Sequence, residues 1–169
     1  NTKVSALTFN KHKCNNKLKK LGFNCANSFL YKKENKIVEE KIIDCVKLPC
    51  FVKPNGSGSS FGISKVKKKK DLIEAINSAL QHDNKVIIEQ FIDGIEISCG
   101  VYTNKKNIQV LPITEIVTEN EFFDYKAKYE GKSEEITPAR ISKRLTTEVQ
   151  KITKDIYKAM NLCGICRID

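Results

Sequence analysis

No apolar segment in this sequence approaches the roughly 20 residues needed to cross a bilayer, and the opening NTKVSALTFNKHK lacks the apolar stretch of a secretory signal. Those two gaps predict a cytoplasmic protein. Histidine is scarce as well: only His12 and His82 occur, and they stand apart. The CxxC of Cys163 and Cys166 therefore lacks the second ligand pair that a structural zinc requires, and a buried strand is the competing reading of LCGIC. Acidic residues are in deficit, 20 against 30 basic ones, for a formal charge of +10. That surplus suits nucleic acid, an anionic membrane surface or a small polyanion such as a nucleotide. No helix-turn-helix pattern, RNA-recognition aromatic signature or internal repeat accompanies it.

What is present reads as an ordinary folded chain. Its 169 residues are 40% hydrophobic and 30% charged, and a chain of this length buries roughly two thirds of its unfolded surface. The seven cysteines, an odd number, sit mostly in apolar runs such as CFV and ISCG, where a thiol behaves as a small hydrophobe in a reducing compartment. The lysine run KVKKKK at 65–70 leads into Asp71-Leu-Ile-Glu74, a capping-box pattern, so these lysines are expected in a solvated turn before a helix.

Periodicity orders the elements. A helix is expected from Lys11 to Leu21, capped by Asn10 and stopped by Gly22, with Cys14, Leu18 and Leu21 on one face. Short extended segments follow at 27–31 and 50–53, then a strand near 62–66. Leu72, Ile73, Ile76, Ala79 and Leu80 mark a second helix behind an Asp71 cap. Val86–Glu89 reads as a buried strand, and Asp93-Gly94 breaks it from a run at 96–102 that forms an antiparallel hairpin with 108–117. The stretch 118–141 has no sustained period and reads as a long loop. Leu145, Val149, Ile152, Ile156 and Ala159 mark a last helix before a strand at 163–169.

One segment carries chemistry: LPCFVKPNGSGSSFG at 48–62. Glycine and serine expose backbone N–H groups without bulk, so NGSGSSFG can wrap an anion, and phosphate is the natural one. No glycine-lysine-serine/threonine ends the loop, and Gly56, Gly58 and Gly62 miss the dinucleotide spacing. Lys53, at the end of the preceding strand, could aim an ammonium at the same phosphate. A flexible hairpin tip is the alternative.

LPCFVKPNGSGSSFGISKV resembles the lysine and glycine–serine loop of the ATP-grasp enzymes, specifically the D-alanine:D-alanine ligases. The likeness continues in order through SALTFNK at 5–11, VIIEQFIDGIE at 86–96, FFDYKAKYEGKSEEITPA at 122–139 and GICRID at 164–169. It implies an α+β ATP-grasp fold, with residues 1–93 as the small domain and 94–169 as the first part of a larger domain with an antiparallel sheet and helices. It also implies a chain lacking the family's amino-terminal domain and carboxyl-terminal end, hence inactive alone, cut from a homodimeric parent that joins two D-alanine molecules through an acyl phosphate for peptidoglycan synthesis.

The same resemblance assigns roles. Lys11 and Lys53 would neutralise ATP phosphates, while the backbone around Ser59, Ser60 and Gly62 would cover the terminal phosphates, with Ser59 also close to the chemistry. Glu89, Gln90, Phe91 and Ile92 would take the adenine and Glu96 the ribose. Lys128 would reach phosphate from a closing loop and Tyr129 would lie near the second amino acid. Arg167 would stabilise the tetrahedral oxyanion, and Asp169 would hold Mg2+ or Mn2+. For each residue a bland reading competes: surface lysine, turn, strand end, or a structural Arg167–Asp169 ion pair. The rival functions are another ATP-grasp carboxylate–amine ligase, a basic nucleic-acid-binding module and a non-catalytic nucleotide-binding domain.

Overall fold

Along Cys50–Pro54 buried and half-buried residues alternate strictly, because successive side chains of a strand point to opposite faces of its sheet. This strand, β2, sits inside a four-stranded antiparallel sheet with β1 (Ser28–Lys32), β3 (Ser64–Val66) and β4 (Lys85–Gln90), in the order β1-β4-β2-β3. The computed structural model describes residues 2–105, 107–118 and 133–169. They fall into two units, Ala6–Asp93 and one made chiefly of Gly94–Asp169.

In the first unit, helices α3 (Glu39–Val46) and α4 (Leu72–Ala79) lie on one face of that sheet. Register sets what they cover. Val52 pairs with Ile88 and Pro54 with Val86, so one face of the sheet presents Cys50, Val52, Val86 and Ile88 to Ile42 and Val46 of α3 and to Leu72, Ile76 and Ala79 of α4. Each fully buried Ile or Leu in such a core contributes about 1.5–3 kcal/mol of transfer free energy. The other face carries Phe51, Lys53 and Glu89, and the site is built there.

Two further helices lead into this unit. Helix α2 (Lys11–Lys20) follows the expected cap: the Asn10 side chain accepts from the Lys13 N–H, and Gly22 takes a positive φ beyond the helix end. Helix α1 (Thr2–Phe9) was not legible, since none of its residues is buried and no apolar stripe marks it. Nor was α3, which has Val38 at its N-cap position with no side-chain cap and buries only Ile42 and Val46. The capping box at Asp71 does not form. Lys69–Asp71 is a short 3-10 turn, and Asp71 already has near-helical angles (φ −91°, ψ −6°) with no side-chain bond to the helix. An N-cap needs extended backbone to turn its side chain onto the first free N–H groups. The lysines at 67–70 are exposed, as expected, and Lys69 pairs with Glu40 at 2.5 Å.

The second unit is a four-stranded antiparallel sheet ordered β7-β6-β5-β8, from β5 (Glu96–Asn104), β6 (Asn107–Thr118), β7 (Ser133–Ile136) and β8 (Ile165–Ile168). The expected hairpin is β5–β6. Its register slips between Cys99 and Val101, and there a Cβ on Gly100 would lie 2.8 Å from Leu111 Cδ1, so the bulge and the glycine go together. Strand β7 corrects the reading of 118–141 as loop throughout: Ser133–Ile136 pairs with Glu115–Thr118. A polar SEEI segment at a sheet edge has no apolar alternation to betray it. Helix α5 (Lys143–Ala159) packs on β5 and β6, with the Ser142 side chain capping Leu145 N–H. Its buried stripe is turned from the expected one. Thr153, Tyr157 and Met160 are buried while Leu145 and Ile152 are exposed, because the Tyr157 hydroxyl finds polar partners inside, donating to Gly164 O at 2.8 Å and accepting from Thr103 Oγ1 at 3.0 Å.

Cysteine burial is mixed. Cys50 and Cys99 are buried, whereas Cys45 and Cys163 are exposed; LCGIC is therefore not a wholly buried strand.

Candidate functional site

On the outer face of the first sheet Phe51 is opposite Glu89 and Lys53 is opposite Ile87, so Lys53 and Glu89 are diagonal neighbours on one face. Their side chains close to 2.7 Å between Nζ and Oε2, at 24% and 12% side-chain exposure. The other carboxylate oxygen accepts from Asn15 Nδ2 of α2 at 2.6 Å. Lys11, one turn earlier on that helix, donates to Pro54 O at 3.1 Å and to Ser57 O. Burial, then the charge of Lys53, pulls the Lys11 ammonium below its ordinary range, partly offset by Glu89 and Asp83. Two lysines that disfavour one another in a half-buried setting are a receptor for anionic charge.

The glycine–serine loop leaves β2 beside these lysines. Asn55, 2% exposed, fastens its base: its N–H bonds Lys85 O, its carbonyl takes Lys11 N–H, and its side chain takes His12 N–H at 3.0 Å. Gly56 N–H donates to Asp83 Oδ2 at 2.7 Å. Further on, Ser59, Ser60 and Gly62 take φ of +52°, +57° and +67°. Left-handed backbone at two successive serines is costly and concentrates at functional sites. Gly62 has no room for a side chain, since a Cβ there would lie 2.5 Å from His82 Cδ2 and 3.0 Å from Pro54 Cγ.

An aromatic shelf flanks the ion pair. The Phe51 and Phe91 rings are 6.0 Å apart, Lys65 Nζ stands 3.9 Å above Phe91, and Lys53 Nζ is 5.2 Å from the Phe51 ring. Such a surface can hold a flat ring while keeping cations close. Beyond β4 the backbone is partly engaged: Gln90 N–H bonds Asn27 O at 2.9 Å and Phe91 N–H bonds Pro49 O at 3.2 Å. Ile92, the next residue, is 65% exposed.

The structure thus brings together Lys11, Lys53, Glu89 and Phe91, beside the loop of Ser59, Ser60 and Gly62. Gln90 and Ile92 belong to the same unit, Gln90 pairing with Cys50 and so facing away from Glu89; the other candidates belong to the second unit or lie outside the described residues. Glu96 opens β5. Arg167, on β8, pairs with Asp169 at 2.9 Å between Nε and Oδ1, the i, i+2 spacing putting both on one face. Lys128 and Tyr129 lie outside the described residues. As a metal ligand Asp169 offers one hard oxygen donor, which fits a magnesium ion that takes one or two carboxylates and completes its shell with phosphate and water. Among the described residues no three His, Cys, Asp or Glu side chains gather as a metal cluster. Asn15, Asp83 and Lys65 were missed from the sequence. Only Asn15 left a signal there, four residues after Lys11 and so on the same helix face.

The chain matches the family model described as D-ala D-ala ligase C-terminus over residues 18–169, and it belongs to that family. The α+β ATP-grasp fold expected from the ordered motifs is the fold observed. A D-alanine–D-alanine ligase of Flavobacterium johnsoniae is 53% identical over 163 residues, covering 96% of this chain and 50% of the relative. One from Phocaeicola vulgatus is 47% identical over 169 residues, covering 100% of this chain and 52% of the relative. Among solved structures, a D-Ala:D-Ser ligase of Enterococcus faecalis superposes with a TM-score of 0.81 at 34% identity, covering 97% of this chain and 48% of that one. A Bacillus anthracis D-alanine–D-alanine ligase gives 0.82 at 29%, covering 98% and 53%. The chain spans about half the length of the curated relatives it matches.

Proposed function

We propose that the protein carrying this chain is an ATP-dependent ligase of the cytoplasm that joins two D-alanine molecules for peptidoglycan precursor synthesis. The observation that supports this most is the placement of Lys11, Lys53 and Glu89 beside a left-handed glycine–serine loop, in a chain whose close relatives are D-alanine–D-alanine ligases. One D-alanine carboxylate attacks the terminal phosphate of ATP and displaces ADP, giving an acyl phosphate, and the amine of a second D-alanine then displaces phosphate from it to form the peptide bond. Phosphoryl transfer leaves side chains little covalent work, so the residues act by position and charge.

Lys53 and Lys11 face the phosphates, the loop backbone near Ser59, Ser60 and Gly62 covers them, and the Phe51–Phe91 shelf with Ile92 receives the adenine. Glu96 takes the ribose and Lys128 a phosphate, while Tyr129 stands by the second amino acid and Arg167 by the developing oxyanion. Magnesium, held by Asp169, would neutralise phosphate charge when bound. No helix among the described residues is long and apolar enough to cross a membrane. The full-length protein is read as a homodimer without a nucleic-acid partner.

A test is phosphate release by the full-length protein with ATP, with and without D-alanine. D-alanine-dependent release, reduced at least tenfold by Lys53→Ala, is expected; release indifferent to D-alanine would refute the reading. An acceptor other than D-alanine is a second reading, favoured by the likeness to the D-Ala:D-Ser ligase, and D-serine in the same assay separates the two.

A further inference from the structure

In NGSGSSFG only Asn55 and Phe61 carry sizeable side chains, and glycine gives up more backbone freedom on ordering than any other residue. What the two feet of the loop touch therefore matters to its path. At the first foot, Gly56 N–H donates to Asp83 Oδ2 at 2.7 Å, and a Cβ on Gly56 would lie 3.2 Å from that oxygen. At the second foot, Gly62 lies so close to the His82 ring that a Cβ would come within 2.5 Å of Cδ2. His82 and Asp83 are adjacent in the turn between α4 and β4, so one short turn holds both ends of the loop. Asp83 is itself fixed: its other oxygen accepts from Lys85 N–H at 3.1 Å, at the start of the strand that carries Glu89.

We infer that the His82–Asp83 turn is the seat of the phosphate-covering loop, and that Asp83 is a positioning residue for nucleotide binding. It touches no reacting atom. It acts by setting the path of the loop backbone from Gly56 onward, opposite Lys11, which ties Pro54 O and Ser57 O from the other side. With Gly56 N–H engaged by Asp83 and Phe61 N–H bonded to Gly58 O at 3.3 Å, any amides offered to phosphate come from the interior of the loop rather than its feet. This rests on the nucleotide site proposed above.

In the full-length protein, Asp83→Ala should raise the KM for ATP roughly tenfold, the scale of one charge-assisted hydrogen bond, with kcat changed less and the KM for D-alanine unchanged. Asp83→Asn keeps one acceptor and should fall between wild type and Asp83→Ala. Amide hydrogen exchange of a peptide spanning 56–62 should quicken in that same order. Gly62→Ala, which forces a Cβ against His82, should raise the ATP KM from the other foot; with Asp83→Asn it decides the matter if Asp83→Ala does not fold. A wild-type ATP KM in the Asp83 variants, or a raised KM with unaltered exchange of 56–62, would overturn the inference. If Lys53→Ala also left nucleotide affinity untouched, the nucleotide site itself would be misread; binding sensitive to Lys53 but indifferent to Asp83 overturns the seat alone.

Discussion

Glu115 shows how much one side chain can organise. It is buried on β6, yet it takes three bonds from Arg140: backbone N–H at 3.0 Å, Nε at 3.0 Å and Nη2 at 2.7 Å. The Arg140 side chain, and then its N–H, hold the carboxyl down at about 2. An unfolded glutamate titrates near 4.3, so the folded value is depressed and the stabilisation is complete above about pH 4.3. It is lost as pH falls from there through about 2. Thermal melts between pH 5 and pH 2 should show this loss, and Glu115→Gln should flatten that part of the profile. At the same scale, Lys53 and Glu89 were both chosen from the sequence, but not as partners. Their pairing depends on the β2–β4 register, which no local pattern encodes, and Asp83 reaches Gly56 across 27 residues.

Among elements, those with a side-chain cap or a sustained apolar repeat were legible, although α2 buries none of its residues. Helix α2 had the Asn10 cap, and Asn10→Ala should cost about 1 kcal/mol, seen as a lower denaturant midpoint at unchanged slope. Helix α4 had the apolar repeat, and Ile76, fully buried, should lose about 2–5 kcal/mol on truncation to alanine in the same measurement. The failed Asp71 cap makes a contrast: since its side chain makes no bond to the helix, Asp71→Ala should move the midpoint far less than Asn10→Ala. Helix α1 buries nothing, α3 has no side-chain cap and buries only Ile42 and Val46, and β7 is a polar edge. In α5 the error was one of rotation, because hydrophobicity alone cannot foresee a buried tyrosine whose hydroxyl is satisfied inside. The glycine loop was legible as a composition. Its left-handed serines and its seat were not, since both arise from contacts made after the chain has folded back.

For the whole molecule, the division at Asp93 and Gly94 has a direct test. Ile92, Asp93, Gly94 and Ile95 are all exposed, and exposed connecting backbone is where proteases cut first. Brief digestion by a protease of broad specificity should cleave first within 92–95 and release a piece holding the core of Ile42, Val52, Ile76 and Ile88; first cuts inside β2 or β4 would contradict the division. The +10 charge is spread over solvated positions such as Lys67–Lys70 as well as the paired lysines of the site, which is why net charge alone could not choose among polyanions.

Thr118 and Ser133 are Cα partners at the end of the β6–β7 ladder, so the span from 119 to 132 begins and ends at a staple supplied by the sheet. Closing a longer span between fixed ends costs only about 0.6 kcal/mol for each doubling of its length. A change of chain length between Thr118 and Ser133 is therefore expected to leave the β6–β7 ladder almost as stable as before.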